Sequence, residues 1–236
     1  MDSDESAAKL SGEANRIVAV CGLTREADLL ARSAVHTIIG GGARTVLEHR
    51  LDAISRGCIA GIISIGICGA LDPTLKVGDC VIAPDVVFGP SRFATDPRWL
   101  QRLAAELPDT VVGVIAGTDV MLVETVQKHA LRQATNAIAA DMESHVVAEF
   151  AAACGIPFAA LRVVSDDAHH ALPPAVLGAM KPDGGVNVAA VIGSLLRKPG
   201  QLPALLRTAR DSEIAFKTLF RCLDRLGPRL LGPDFG

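Results

Sequence analysis

Phe158-Ala159-Ala160-Leu161-Arg162-Val163-Val164-Ser165-Asp166-Asp167 is an apolar, β-branched run that ends in two acids. Its length and composition read as a buried strand. Upstream, Asp141-Met142-Glu143-Ser144-His145 closes another apolar run and opens a segment with helical spacing. Glu143 and Asp166 are therefore expected at the C-terminal edges of neighbouring strands, where open α/β sheets bind ligands. Two acids converging there suit cleavage at the anomeric carbon of a sugar. One acid holds the sugar hydroxyls and the other protonates the leaving group.

The same alternation runs through the chain. Residues 17–22, 35–39, 61–67, 79–87, 111–116, 137–141 and 158–165 read as strands, and 25–32, 44–56, 97–106, 123–134 and 143–154 as helices. This order predicts an α/β fold with a layered, mainly parallel sheet. A break near Lys198-Pro199-Gly200 precedes a last helix over 202–226. The organisation expected is a disordered tail over 1–15, one domain over 16–197, and a basic amphipathic helical extension of that domain over 198–236.

With 236 residues, half of them apolar, the chain can bury a substantial core. The net charge of −3, scarce aromatics and absence of tyrosine argue against a nucleic-acid partner. No window approaches the ~18 uninterrupted apolar residues of a membrane span. The polar start lacks the apolar segment of a secretory signal. The six cysteines show no metal-ligand spacing and read as buried hydrophobes in a reducing cytoplasm. His169-His170 has no carboxylate or cysteine at ligand spacing, so no metal is expected. His145 reads as structural, and Asp167 as a loop-solvating neighbour of Asp166.

Three loops follow strands. In Cys21-Gly22-Leu23-Thr24-Arg25-Glu26, Gly22 permits a tight turn, and the helix N-terminus behind it offers N–H groups to an anion or an oxygen nucleophile. Glu26 reads equally as an acid favoured by the helix dipole. Gly40-Gly41-Gly42-Ala43-Arg44 is not a dinucleotide fingerprint; it reads as a flexible turn or as a loop in which Arg44 meets a phosphate. Ser64-Ile65-Gly66-Ile67-Cys68-Gly69 leads through a Pro-containing turn to Val77-Gly78-Asp79, and its glycines suit either a sugar site or a crossover with unusual dihedrals.

Taken together, Gly66–Asp79, Gly117-Thr118-Asp119, Asp141-Met142-Glu143 and Ser165-Asp166 resemble, in order and spacing, the motifs of the purine nucleoside phosphorylase/nucleosidase superfamily. The branch they resemble most is the 5′-methylthioadenosine/S-adenosylhomocysteine nucleosidases, from about Ile17 to Leu195. The whole sequence, C-terminal part included, is similar to the hopanoid-associated phosphorylases. The resemblance implies a three-layer α/β/α nucleoside-phosphorylase-like fold around a mixed, mainly parallel sheet. It implies adenine release from a 5′-modified adenosine, adenosylhopane in hopanoid biosynthesis, with no cofactor beyond phosphate as a co-substrate. Asp166 is then the acid that protonates purine N7, held by Ser165, and Glu143 binds the ribose diol with Met142 packed on the sugar. Met121 and Leu122 line the adenine slot, Glu26 activates water, and Gly22, Arg44, Gly66 and Ile67 surround the nucleophile or phosphate. A homodimer is expected by the same analogy.

Two departures from that pattern bear on the substrate. Ile67 stands where hydroxyl residues are common, and its side chain cannot bond a phosphate. Glu26 thus points to water as acceptor, whereas Arg25 and Arg44 point to phosphate. The segment between Val87 and Asp96 is short for a nucleosidase, which implies an open 5′ side. At the C-terminus Leu202, Leu205, Leu206, Ala209, Phe216, Leu219, Phe220, Leu223 and Leu226 form an apolar stripe. Arg207, Arg210, Lys217, Arg221, Arg225 and Arg229 make that segment basic. Such a stripe either packs on the domain or a second subunit, or lies on an anionic inner-membrane surface as a peripheral contact.

Overall fold

The computed structural model describes residues 16–54, 59–176, 181, 183–185 and 187–233. The expected tail over 1–15 lies outside the described residues, as does Cys58. Among the described residues, ten strands form one mixed sheet. β1 (Arg16–Cys21), β2 (His36–Ile39), β3 (Ile59–Ala70) and β10 (Phe158–Asp166) are parallel neighbours in the order β2-β1-β3-β10. β4 (Cys80–Ile82) joins β10 antiparallel and carries β7 (Val111–Val112). β9 (Ala139–Asp141) pairs antiparallel with the end of β3 and leads through β8 (Ile115–Gly117) and β5 (Asp85–Phe88) to β6 (Ser91–Ala94).

The long strand β3 decides where a site can form. β10 covers one of its edges from Ile62 to Gly69. The other edge is shared: β1 pairs with it up to Ser64, and β9 pairs only with Gly69 and Ala70. Between these two ladders the sheet forks, and the backbone of residues 65–68 has no strand partner on that side. Buried N–H groups there need other acceptors.

Alternation along the strands sends side chains into two cores. Ile17, Ala19, Ile63, Ile65, Leu161 and Val163 face one cluster, and Val18, Val20, Ile62, Ala160 and Val164 face the other. The first is covered by α1 (Thr24–Leu30), α3 (Pro97–Glu106) and α7 (Leu202–Leu226), through Leu30, Trp99, Leu103, Leu219, Leu223 and Leu226. The second is covered by α2 (Arg44–Asp52) and α5 (Ser144–Cys154), through Leu47, Leu51, Val147 and Ala151. Helices therefore flank both faces, the three-layer α/β/α arrangement expected.

Several elements depart from the pattern expectation. Pro84 divides the run 79–87 into β4 and β5, because proline cannot donate to a ladder. The run 111–116 likewise breaks at Gly113, where a Cβ would lie 2.3 Å from Ile138 Cδ1. The segment read as a short rim folds with β5 into a hairpin through Gly89-Pro90 and becomes β6. α6 (Val188–Arg197), not anticipated, buries none of its side chains, so its apolar residues gave weak evidence of an element. α7 spans the limits expected, and Phe216, Leu219, Leu223 and Leu226 of its stripe are spent on the core. Leu202, Leu206 and Phe220 stay exposed. Finally, β9 and β10 are not neighbours; β3 lies between them, and the two acids reach the same place by flanking its end.

Trp99 ties α3, the sheet and the C-terminal segment together. It is fully buried, donates Nε1–H to the Leu230 carbonyl at 2.9 Å, and fills the space left by Gly61. Trp99→Ala should destabilise the protein by about 3–5 kcal/mol, chiefly through the cavity it leaves. Urea unfolding followed by circular dichroism measures this; an unchanged midpoint contradicts the packing described.

Candidate active site

The fork in the sheet is filled with charge. Arg162, in the middle of β10, is fully buried on the α5 side of the sheet. Its guanidinium pairs with Asp141 at the end of β9, donates to Ser64 Oγ and Ser144 Oγ, and lies 3.7 Å from Glu143. A buried cation is tolerated only when paired and hydrogen-bonded, and here the partners come from β9, β3 and the start of α5. Sequence reading passed over Arg162; the signal was a lone arginine inside an otherwise uninterrupted apolar strand.

Glu26 enters the fork from the first turn of α1 and is buried. Oε2 accepts the N–H groups of Gly22 and Leu23 at 2.7 and 2.8 Å, and Oε1 accepts that of Ile67 at 2.7 Å. The capping role and the site role of Glu26 are thus one arrangement. Ile67 uses its backbone N–H, one of those the fork leaves without a strand partner. Gly66 makes the approach possible, since a Cβ there would lie 2.4 Å from Glu26 Oε1.

Glu143 caps the space between the ends of β1 and β2. A Cβ on Gly22 would come within 2.6 Å of its Oε1, and one on Gly40 within 2.8 Å of its Cγ. Burial raises its carboxyl to about 7, with Asp141 and Glu26 adding to the rise, while Arg162 and the Gly42 N–H oppose it. Burial also raises Glu26, against Arg162 and the three N–H donors.

Asp166 closes β10 and also lines the cavity. Its carboxyl is raised by burial, against Lys128 and Ser165. Lys128 Nζ, itself buried, sits 2.6 Å from Asp166 Oδ2. Ser165 Oγ lies 3.2 Å both from Asp166 Oδ1 and from the Cys68 carbonyl oxygen. Asp167 turns away to accept from the backbone of His169 and His170 and to pair with the His170 ring, which accounts for its lowered carboxyl. The two neighbouring acids are thereby separated into a pocket group and a loop-holding group.

One cavity of about 630 Å³ joins these groups. Glu26, Met142, Glu143, Ser165 and Asp166 all line it, as do Gly22 and Ile67. Met121 and Leu122 line it with Leu71, Leu172 and Val176, an apolar set of side chains. α7 contributes Thr208, Ala209, Ser212, Glu213 and Phe216 to the wall. The β5–β6 hairpin is not among the residues that line this cavity.

Two residues expected at the nucleophile end lie elsewhere. Gly66 sits behind Glu26 and not on the wall. Arg44 is outside the lining, engaged by Glu48, Glu149 and, at 3.8 Å, Asp119, with its guanidinium 5.2 Å from the Phe88 ring centroid. Arg25 does line the cavity but forms a two-point pair with Glu213 of α7. His145 is buried, bonds Asp119 at 3.0 Å and stacks on Phe88, away from the cavity. Among the described residues no group of three His, Cys, Asp or Glu is placed to hold a metal ion, and no helix is long and apolar enough to cross a membrane.

A forked α/β sheet with acids gathered at the fork defines a class, and the sequence places the chain within it. The model of the Phosphorylase superfamily matches residues 17–197, so the chain belongs to that superfamily. Among curated relatives, the 5′-methylthioadenosine/S-adenosylhomocysteine nucleosidase of Tolumonas auensis is 28% identical over 58% of this chain and 67% of its own length. That of Pseudoalteromonas translucida is 25% identical over 72% of this chain and 79% of its own. The match to the Staphylococcus epidermidis nucleosidase spans 56% of that enzyme. In fold, the chain is similar to the futalosine hydrolase of Helicobacter pylori, with a TM-score of 0.66, 16% identity, and 90% and 97% of the two chains covered. The methylthioadenosine nucleosidase of the same organism gives a TM-score of 0.61 at 16% identity, over 89% of this chain and 98% of that one.

A carboxyl whose pKa is raised on folding stabilises the protein below its unfolded value and loses that contribution as pH rises through the folded value. For Glu143 the loss falls between about 4.5 and about 7. Thermal stability should therefore decline from pH 5 to pH 8. Glu143→Gln should flatten that decline and stabilise the protein at pH 8 by up to about 3 kcal/mol. Melting curves across this range test it, and an undiminished slope in the variant contradicts it.

Proposed function

We propose that this protein is a nucleosidase that cleaves the N-glycosidic bond of a 5′-modified adenosine and releases adenine. The observation that carries the reading is that Asp166 and Glu143 line one cavity together with an apolar slot of Leu71, Met121, Leu122, Leu172 and Val176. Adenine lies in that slot against Met121 and Leu122, with N7 toward Asp166. Asp166 gives N7 a proton as the C1′–N9 bonding pair leaves with the base. Glu143 holds the 2′- and 3′-hydroxyls and places negative charge beside the oxocarbenium-like sugar, with Met142 against the ring. Water loses a proton to Glu26 and attacks C1′, giving the free 5′-modified ribose. Burial makes Glu26 a stronger base than an exposed carboxylate, and its three N–H donors fix its direction.

Water is favoured over phosphate by the charges around the cavity. Arg25, Arg162 and Lys128 each have a carboxylate partner, Glu213, Asp141 and Asp166, and Arg44 lies outside the lining. A phosphate dianion would instead face Glu26 and Glu143. For the 5′ group we favour a large apolar one, adenosylhopane, on the sequence resemblance and on the α7 wall. Beyond the Arg25–Glu213 pair, that helix borders a second groove with Leu29, Ile214 and Phe220.

Adenine release from 5′-substituted adenosines, followed by chromatography with and without phosphate, tests the reading. Asp166→Asn should lower kcat by about 10²–10⁴-fold while still binding substrate. Strict phosphate dependence overturns the hydrolytic route, and a preference for 5′-methylthioadenosine over long apolar 5′ groups overturns the substrate. Membrane contact, if the substrate resides there, would use the exposed Leu202 and Leu206 of α7 with Val188, Ile192 and Leu196 of α6. Removing α7 would expose the core, so Leu202→Asp with Leu206→Asp is the sound comparison. Equal sedimentation of this variant and the wild type with anionic liposomes ends that part of the proposal.

A further inference from the structure

Lys128 has no part in the reaction described above, yet it is as deeply buried as any residue around the cavity, at 1% exposure. It stands in the first turn of α4 (Thr125–Thr135), which Glu124 and Gln127 fix by a reciprocal cap. Its ammonium reaches across to the end of β10. There it donates to Asp166 Oδ2 at 2.6 Å, to the Asp167 carbonyl at 2.6 Å and to the His170 carbonyl at 3.4 Å. An ammonium has three hydrogens, and three acceptors face them. Lys128 therefore has no donor left for a substrate, and what it can influence is the acid.

We propose that Lys128 is the positioning residue of the acid: by occupying Oδ2 of Asp166 it assigns the transferable proton to Oδ1 and sets the pH above which that proton is lost. The inference rests on Asp166 being the acid of the reaction proposed above. A cation bonded to one carboxylate oxygen disfavours a proton on that oxygen, which leaves Oδ1, the oxygen beside Ser165 Oγ, as the carrier. The two loop carbonyls hold the ammonium in place, so the acid and the 167–170 loop move as one unit. The charged and titratable groups facing Asp166 are Lys128 from α4, Asp167 and its partner His170 from the loop, and the Cys68 thiol from β3. Burial lifts the Asp166 carboxyl while Lys128 pulls it down. Without the cation, burial and Asp167 act in the same direction, and the acid keeps its proton to higher pH.

The test is the pH dependence of kcat for adenine release from a 5′-substituted adenosine. Lys128→Met should move the alkaline fall of kcat upward by about one pH unit or more, since an adjacent opposite charge shifts a carboxyl by that much. Lys128→Arg, which keeps the cation, should hold the wild-type fall even where kcat drops. Should Lys128→Met fail to fold, Lys128→Gln keeps donors for Oδ2 and a loop carbonyl without the charge, and carries the same expectation. A neutral variant whose profile superimposes on the wild type after scaling overturns the inference, because a merely structural staple changes stability and rate without moving the profile. Wild-type protein that releases no base strikes the glycosidase reading itself, an outcome distinct from active variants with unmoved profiles.

Discussion

Arg162 is the interaction on which the arrangement of the site depends. Asp141 and Glu143, two residues apart, and the far earlier Glu26 converge on one buried region. Gathered without a cation they would repel one another and resist burial. The guanidinium in the middle of β10 supplies the countercharge, and Ser64 and Ser144 satisfy its remaining donors. Its position also follows from the sheet. A strand interior holds the head group rigidly, at the level where the edge of β3 is left open between β1 and β9. That opening in turn gives Glu26 its hold on Ile67, so one irregularity of pairing serves both the nucleophile end and the sugar end of the cavity.

Much of the fold was legible because strands buried on both faces announce themselves as continuous apolar runs. β1 and β10 were read nearly to their limits and β3 only in its middle, while α3 and α7 were read to the residue, since caps, prolines and strong stripes bound them. The losses have physical causes. β6 is short and lies at the sheet edge, with three of its four residues exposed, so no pattern marks it. α6 buries no side chain fully and leaves Val188, Ile192 and Leu196 exposed, so its apolar residues do not mark a core face. The neighbour relation of β9 and β10 could not be read because a strand that bends past two partners looks the same in sequence as a strand with one.

The acids were legible from their positions at strand ends, and Glu26, Glu143 and Asp166 do share one cavity. Their partners were not. Arg162 and Lys128 are distant in sequence from the groups they serve, and their meaning lies in burial, which sequence spacing does not reveal. Arg44 shows the converse. It follows a glycine-rich turn that looks suited to an anion, yet Glu48, one turn along α2, and Glu149 on α5 claim its guanidinium. A basic residue after a glycine loop marks an anion site only when no closer carboxylate competes for it.

The Arg25–Glu213 pair joins the start of α1 to the middle of α7 across the margin of the cavity, with the Arg25 guanidinium 4.2 Å from the Phe216 ring centroid. The same three residues border the adjoining groove. The division between the two spaces is thus a solvent-exposed ion pair set over the buried Phe216 ring. Breaking it costs little in folding stability, as exposed pairs generally do. Tolerance for bulkier ligands can therefore drift through changes on α7 alone, leaving the buried acids and their arginine untouched.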